Sequence, residues 1–199
     1  MSALSKRKVV ELFYDVISPY SWVGNQPPAT LPMKGMYMMK DIQRLRDYYK
    51  IPLVQPADFA GTILTGGGSL SAQRLLTAID MNCPEYLERV SRELWYRVWS
   101  RDEDIKQKSS LTEAMKKAGL SDKLISELLS KISDQTVKDR LRQYTEEAVE
   151  FGAFGAPIIV AHVNGKPEMF FGSDRFLLLA HTLGEEWYGP LVENSKCKL

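Results

Sequence analysis

The chain has 199 residues, 44% of them hydrophobic, and balances 26 Lys and Arg against 25 Asp and Glu for a net charge of +1. That length suits one large domain or two small ones with a sizeable core, and the even charge gives no electrostatic case for nucleic acid. No apolar run reaches membrane-spanning length, and Met1–Lys8 lacks the apolar core of a secretory signal. The two cysteines, Cys83 and Cys197, build no disulfide framework, so the composition reads as intracellular and reducing.

In chain order, Val9-Val10-Glu11-Leu12-Phe13-Tyr14 predicts a buried strand. Ser18-Pro19-Tyr20-Ser21 follows, where a thioredoxin-like redox protein would carry Cys-x-x-Cys. A hydroxyl cannot exchange disulfides, but it can donate a hydrogen bond to a thiolate. The stretch therefore points away from a thiol oxidoreductase and towards an enzyme that binds and activates a thiol. The residues alone leave Ser18 two roles, N-cap of the helix that Pro19 begins or donor to a thiolate. Gly24 to Pro32 reads as loop. A parallel βαβ unit takes about 30 residues or more, yet the pair Pro27-Pro28 arrives soon after the strand, so the first βαβ unit is predicted to be incomplete.

A short amphipathic helix is predicted over Lys40–Tyr49, with Ile42, Leu45 and Tyr49 on its apolar side. Pro52 and Pro56 keep Ile51–Phe59 extended or turning, and Thr65-Gly66-Gly67-Gly68 reads as a flexible joint. Ser69 opens a helix through Leu75, Leu76 and Ile79. Pro84 starts the next, with Leu87, Val90, Leu94 and Val98 on one face. Ser110 and Glu113 have the spacing of a capping box, and Gly119 suits a helix stop. Ser121 opens a helix whose apolar positions are Leu124, Ile125, Leu128, Leu129 and Ile132. A long helix from about Gln135 to Phe151 turns Val137, Leu141, Tyr144 and Ala148 inward and ends at Gly152. The period then changes: Ile158–Val163 is a strand, Asn164-Gly165 a two-residue hairpin turn, and Glu168–Phe171 the return strand. Ser173 caps a closing helix through Phe176, Leu177, Leu178 and Leu183. This order predicts an α/β fold, a thioredoxin-like domain over 1–39 and 151–199 with an all-helical insertion over 40–150.

Two further sites follow from that fold. Thioredoxin-like folds carry a cis-proline where Ala156-Pro157 stands, which leaves the preceding backbone open to an extended thiol peptide; the other role is an ordinary loop proline. Ser173-Asp174 opens the last helix, where free N–H groups hold a carboxylate and Asp174 pairs with an ammonium, or where the pair simply caps. His162 and His181 lack metal-ligand spacing with any cysteine, and no metal is expected. There is no Ser/His/Asp motif, and Gly66-Gly67-Gly68 lacks the Walker lysine.

Several stretches together resemble the kappa class of glutathione transferases. They are Glu11–Val16, Ser18-Pro19-Tyr20-Ser21-Trp22, Ser91-Arg92-Glu93-Leu94-Trp95, Val98-Trp99-Ser100-Arg101, Asp102-Glu103-Asp104-Ile105, Gly152-Ala153-Phe154-Gly155, Ala161-His162-Val163 and Phe171-Gly172-Ser173-Asp174-Arg175. The resemblance implies glutathione as co-substrate and transfer of its thiolate to a small electrophile such as a halogenated aromatic. It makes Ser18 the catalytic residue, stabilising the thiolate, with Pro19 and Tyr20 beside the cofactor. Ala156 would meet it through backbone, and Ser173 and Asp174 would hold its γ-glutamyl end. Asn25 and Lys34 match positions that bind the rest of the peptide, Lys34 facing the glycyl carboxylate. Asp41 matches one that reaches the cofactor of the partner subunit in a homodimer. The chain departs from the family at Ala156, where a leucine is usual, and between Gly24 and Asn25, where a long segment is absent. The related chromene-carboxylate isomerases share part of the pattern, so a glutathione-dependent isomerase is one alternative. Another is an inactive shortened product that acts only as a binding partner. Cys197-Lys198-Leu199 keeps the small, basic, leucine order of the Ser-Lys-Leu peroxisomal address, and the family implies peroxisome, mitochondrion or both.

Overall fold

The structure, a computed structural model, describes residues 8–16, 32–58 and 68–189. In chain order these form β1 (Val9–Phe13), α1 (Pro32–Tyr49), α2 (Leu70–Asn82), a 3-10 turn (Pro84–Tyr86), α3 (Leu87–Ser100), α4 (Lys108–Lys117), α5 (Asp122–Lys131), α6 (Gln135–Glu150), β2 (Ile158–Val163), β3 (Lys166–Phe171) and α7 (Phe176–Leu183). The described residues divide into two compact units, one of 8–14 and 147–189, the other of 15–16, 32–58 and 68–146.

The second unit is helical. α1 begins at Pro32, earlier than the predicted Lys40, because Met38 and Ile42 are both buried and extend the apolar stripe one turn upstream. A proline is tolerated in that first turn because its missing N–H would lack a partner anyway. In α2 the buried side is Ala72, Leu75, Leu76, Thr77, Ala78 and Ile79. Ser69 stands at its N-cap without a side-chain capping bond and donates instead to Asp15 Oδ2 at 2.7 Å. The helix predicted from Pro84 starts as a 3-10 turn and becomes α-helical at Leu87. Val90, Leu94 and Val98 form its buried stripe as expected, but Arg97 is buried with them. Ser110 and Glu113 do not form a capping box. α4 starts at Lys108, so Ser110 already lies inside it, and the turn that leads in is closed by Asp104, which accepts from the amides of Lys106 at 2.9 Å and Gln107 at 2.8 Å. α5 has the predicted cap, Ser121 Oγ accepting from the Leu124 amide at 3.4 Å.

The first unit holds the sheet, in the order β1-β2-β3 with both pairings antiparallel. Asn164 and Gly165 take φ of 52° and 80°, the left-handed pair a two-residue hairpin turn requires. β2 is the core strand, buried from Ile158 to Ala161. α7 lies on the face that carries Ile159 and Ala161, where Leu179 packs with them and with Val163, Phe170 and Leu183. Leu12 and Val10 sit opposite Ile159 and Ala161 and so share that face, yet they are 54% and 47% exposed. The predicted buried strand is thus an open one. Among the described residues β1 is the edge of the sheet, and α7 packs on β2. α7 also starts later than predicted. Its N-cap is Arg175 rather than Ser173, because Gly172, at φ +100°, turns the chain as it leaves β3 and a short turn intervenes.

Candidate functional site

Phe13, Ile158 and Phe171 stand in one row across the sheet, the last row at that end. One step beyond it, Gly172 N–H donates to the Pro157 carbonyl at 3.1 Å. This bond joins two of the sequence-predicted elements, the Ala156-Pro157 loop and the Ser173-Asp174 turn. The Ala156–Pro157 peptide bond is cis, as the sequence predicts. Among the described residues nothing pairs with the N–H or C=O of Ala156, so the loop offers one main-chain donor and one acceptor. Ser173 and Asp174 are exposed beside it, and Asp174 Oδ2 lies 3.5 Å from the Arg175 guanidinium. Phe154, just before the loop, packs on Phe171 with ring centroids 4.4 Å apart. Open backbone polar groups next to an exposed carboxylate suit an extended, peptide-like ligand that carries an ammonium.

The other predicted residues lie outside the described residues or on α1, in the second unit. Ser18, Pro19, Tyr20 and Asn25 lie outside the described residues, as does Cys197-Lys198-Leu199. Lys34 is in the first turn of α1, with its side chain outside the described set. Asp41, also on α1, accepts from the Tyr37 hydroxyl at 3.4 Å and has Arg44 at 3.8 Å, while the Arg44 guanidinium is 5.9 Å from the Tyr37 ring centre. Sequence reasoning missed Tyr37 and Arg44 as neighbours of Asp41, although spacings of four and three on one helix place them on the same face. It also left Gly172 without a role.

Several residues of the resemblance motifs, and Arg97 between two of them, make structural contacts. Arg97 is 4% exposed and donates from Nε to the Asp104 carbonyl at 2.9 Å, with Glu113 at 3.1 Å and Glu103 at 3.2 Å. Arg101 adds Glu103 at 3.0 Å and a bond to Glu93. Burial pushes the Glu103 carboxyl up, but the Arg101 hydrogen bond and the charges of Arg97, Arg101 and Lys117 outweigh it and hold the group below the usual carboxylate range. His162 bonds Glu11 across β1 and β2 and meets the Phe151 ring edge-on. Burial, with Glu85 nearby, pushes the Cys83 thiol up against the smaller pull of Lys131, which disfavours a reactive thiolate. No helix among the described residues is long and apolar enough to cross a membrane.

Residues 23–184 match the family model described as a DSBA-like thioredoxin domain. The chain is 47% identical to human glutathione S-transferase kappa 1, covering 92% of this chain and 94% of the relative. It is 44% identical to the rat protein of the same name, covering 96% and 98%. Among solved structures, 2-hydroxychromene-2-carboxylate isomerase superposes with a TM-score of 0.58 at 23% identity, over 81% of this chain and 71% of that one. The human alignment runs over 214 positions but uses only 92% of 199 residues, about 183, so about 31 positions are filled by the relative alone. The rat alignment leaves the same shortfall, 222 positions against about 191 residues. The chain has the DSBA-like thioredoxin fold and belongs to the kappa class of the glutathione S-transferases.

Proposed function

We propose that this chain is a glutathione transferase that activates the glutathione thiol and transfers it to small electrophiles. The observation that carries the reading, within a chain 47% identical to a named transferase, is the Gly172–Pro157 hydrogen bond. It sets an open backbone pair at Ala156 beside the Asp174 carboxylate, and the cysteinyl main chain and the γ-glutamyl ammonium of glutathione ask for those two features. Ser18 would donate to the thiolate, Pro19 and Tyr20 would flank it, and Ser173 would meet the γ-glutamyl carboxylate. Asn25 and Lys34 would hold the glycyl end, and no metal takes part. The chemistry is then to lower the thiol pKa and to keep nucleophile and electrophile close. The same reading includes a homodimer in which Asp41 faces the cofactor bound by the partner subunit; a monomeric mass by sedimentation at micromolar protein would remove that element.

Glutathione at millimolar concentration should raise the melting temperature, because a ligand that binds only the native state stabilises it. Ser18→Ala should leave that binding largely intact and raise the pKa of the bound thiol. Its charge-assisted hydrogen bond, about 1.5–3 kcal/mol, corresponds to roughly 1–2 pH units, read by ultraviolet thiolate absorbance against pH. An unchanged titration would assign Ser18 to helix capping. A second reading, an inactive shortened product, draws support from the open edge of β1 and the roughly 31 absent positions. Absence of any shift with glutathione would favour it over the transferase.

A further inference from the structure

We infer that Gly172 is a positioning residue for Asp174, the empty side-chain site of the glycine being the space that the Asp174 carboxylate occupies. The inference rests on the reading that Asp174 receives the γ-glutamyl ammonium. A Cβ built on Gly172 would stand 2.7 Å from Asp174 Oδ1 and 4.0 Å from its Cγ, with no other described atom within 4 Å beyond its own chain neighbours. Carbon and a carboxylate oxygen do not approach to 2.7 Å without repulsion, so any side chain here must displace the carboxylate. Gly165 and Gly184 also take positive φ, yet a Cβ at either would meet nothing within 4 Å. Those positions ask only for a backbone conformation. Gly172 asks for that, at φ +100°, and for close approach as well.

The glycine cannot retreat to make room. Its N–H is held by the Pro157 carbonyl at 3.1 Å, in line with the register that pairs Phe171 with Ile158. The other side of the carboxylate faces Arg175, with Oδ2 at 3.5 Å from the guanidinium. Asp174 thus lies between a backbone that carries no side chain, held at the end of β3, and the exposed Arg175 guanidinium. An ammonium–carboxylate hydrogen bond has a narrow length range near 2.8 Å, so a carboxylate pushed aside by a methyl group loses it. The sequence Gly-Ser-Asp at the end of the sheet is in these terms one device, with the glycine placing the acid.

The test is a double-mutant cycle on the full chain, with glutathione affinity by titration calorimetry and stability by thermal unfolding. Asp174→Ala is expected to weaken glutathione about tenfold, and Gly172→Ala by a similar factor. Gly172→Asn introduces the same Cβ in a residue that tolerates positive φ better, and it serves if the alanine variant does not fold. The combined Gly172→Ala/Asp174→Ala protein should bind no more weakly than Asp174→Ala, while the melting-temperature loss from Gly172→Ala persists in both backgrounds. Glutathione acetylated on its α-amine, which has no ammonium, should bind all four proteins alike. Losses that multiply in the combined protein, or an unaltered affinity in both Gly172 variants, would overturn the positioning role alone. No binding by the parent chain, or full affinity in Asp174→Ala, would instead sink the glutathione reading on which it depends.

Discussion

Asp104 shows how a single carboxylate can be tuned by main chain. Burial by itself would push its carboxyl up, but the amides of Gln107 and Lys106 and the Ser110 hydroxyl hold it below its ordinary 3.8. The folded protein therefore binds this proton more weakly than the unfolded chain does. The stabilisation is fully present above pH 3.8 and is lost as pH falls through the lower folded value. Asp104→Ala should cost about 1–2 kcal/mol at pH 7, as expected for a capping carboxylate. Urea unfolding should show that gap narrowing as pH is lowered below about 4; a gap independent of pH would mean that the ionised form is not what stabilises the turn. Ser110 and Glu113 satisfied the pattern of a capping box but not its role. The helix starts one turn earlier, and the buried Arg97 takes Glu113 as an ion-pair partner. The pattern is local, whereas the competing partner comes from another helix.

At the scale of elements, β1 is where composition and environment part company. Five residues, four of them apolar, read as a buried strand, yet Val9, Val10 and Leu12 are 48%, 47% and 54% exposed. Leu12 and Ile159 are direct register partners on the face that α7 approaches, and Ile159 is 3% exposed. Their truncations should therefore differ. Ile159→Ala should cost about 2–5 kcal/mol, as large-to-small changes in a packed core do. Leu12→Ala should cost under about 1 kcal/mol, since little of its surface is removed from water. Equal losses in denaturant unfolding would show that some other segment covers β1. The hairpin, by contrast, was readable as written, because Asn164-Gly165 supplies the left-handed turn and β2 alone supplies a continuous buried run.

For the whole molecule, the shortfall of about 31 positions against the human relative matches the roughly 30 residues of a βαβ crossover. A parallel strand beyond β1 would pair the edge that is open among the described residues, and a crossover helix would cover Val10 and Leu12. Insertion of the relative's segment between Gly24 and Asn25 should therefore raise both stability and glutathione-conjugating activity. Covering two such side chains stabilises by about 1.5–3 kcal/mol each at most, which at 2–4 °C per kcal/mol corresponds to a rise of at most roughly 6–24 °C. Equal melting temperature and activity in the two proteins would show that the gap is benign.

The sequence by itself determined what neighbours along the chain decide. It specified the succession of helices, the left-handed glycines that close two of them at Gly119 and Gly152, and the hairpin. It also carried the kappa-class resemblance, since those motifs are contiguous. Only the folded chain shows that β1 pairs antiparallel with a strand far along the chain and is an edge among the described residues, that Arg97 is buried among apolar residues, and that Gly172 meets Pro157. Periodicity reports which side of an element is apolar but not what arrives to cover it, and a hydrogen bond between two chain crossings leaves no spacing in the sequence.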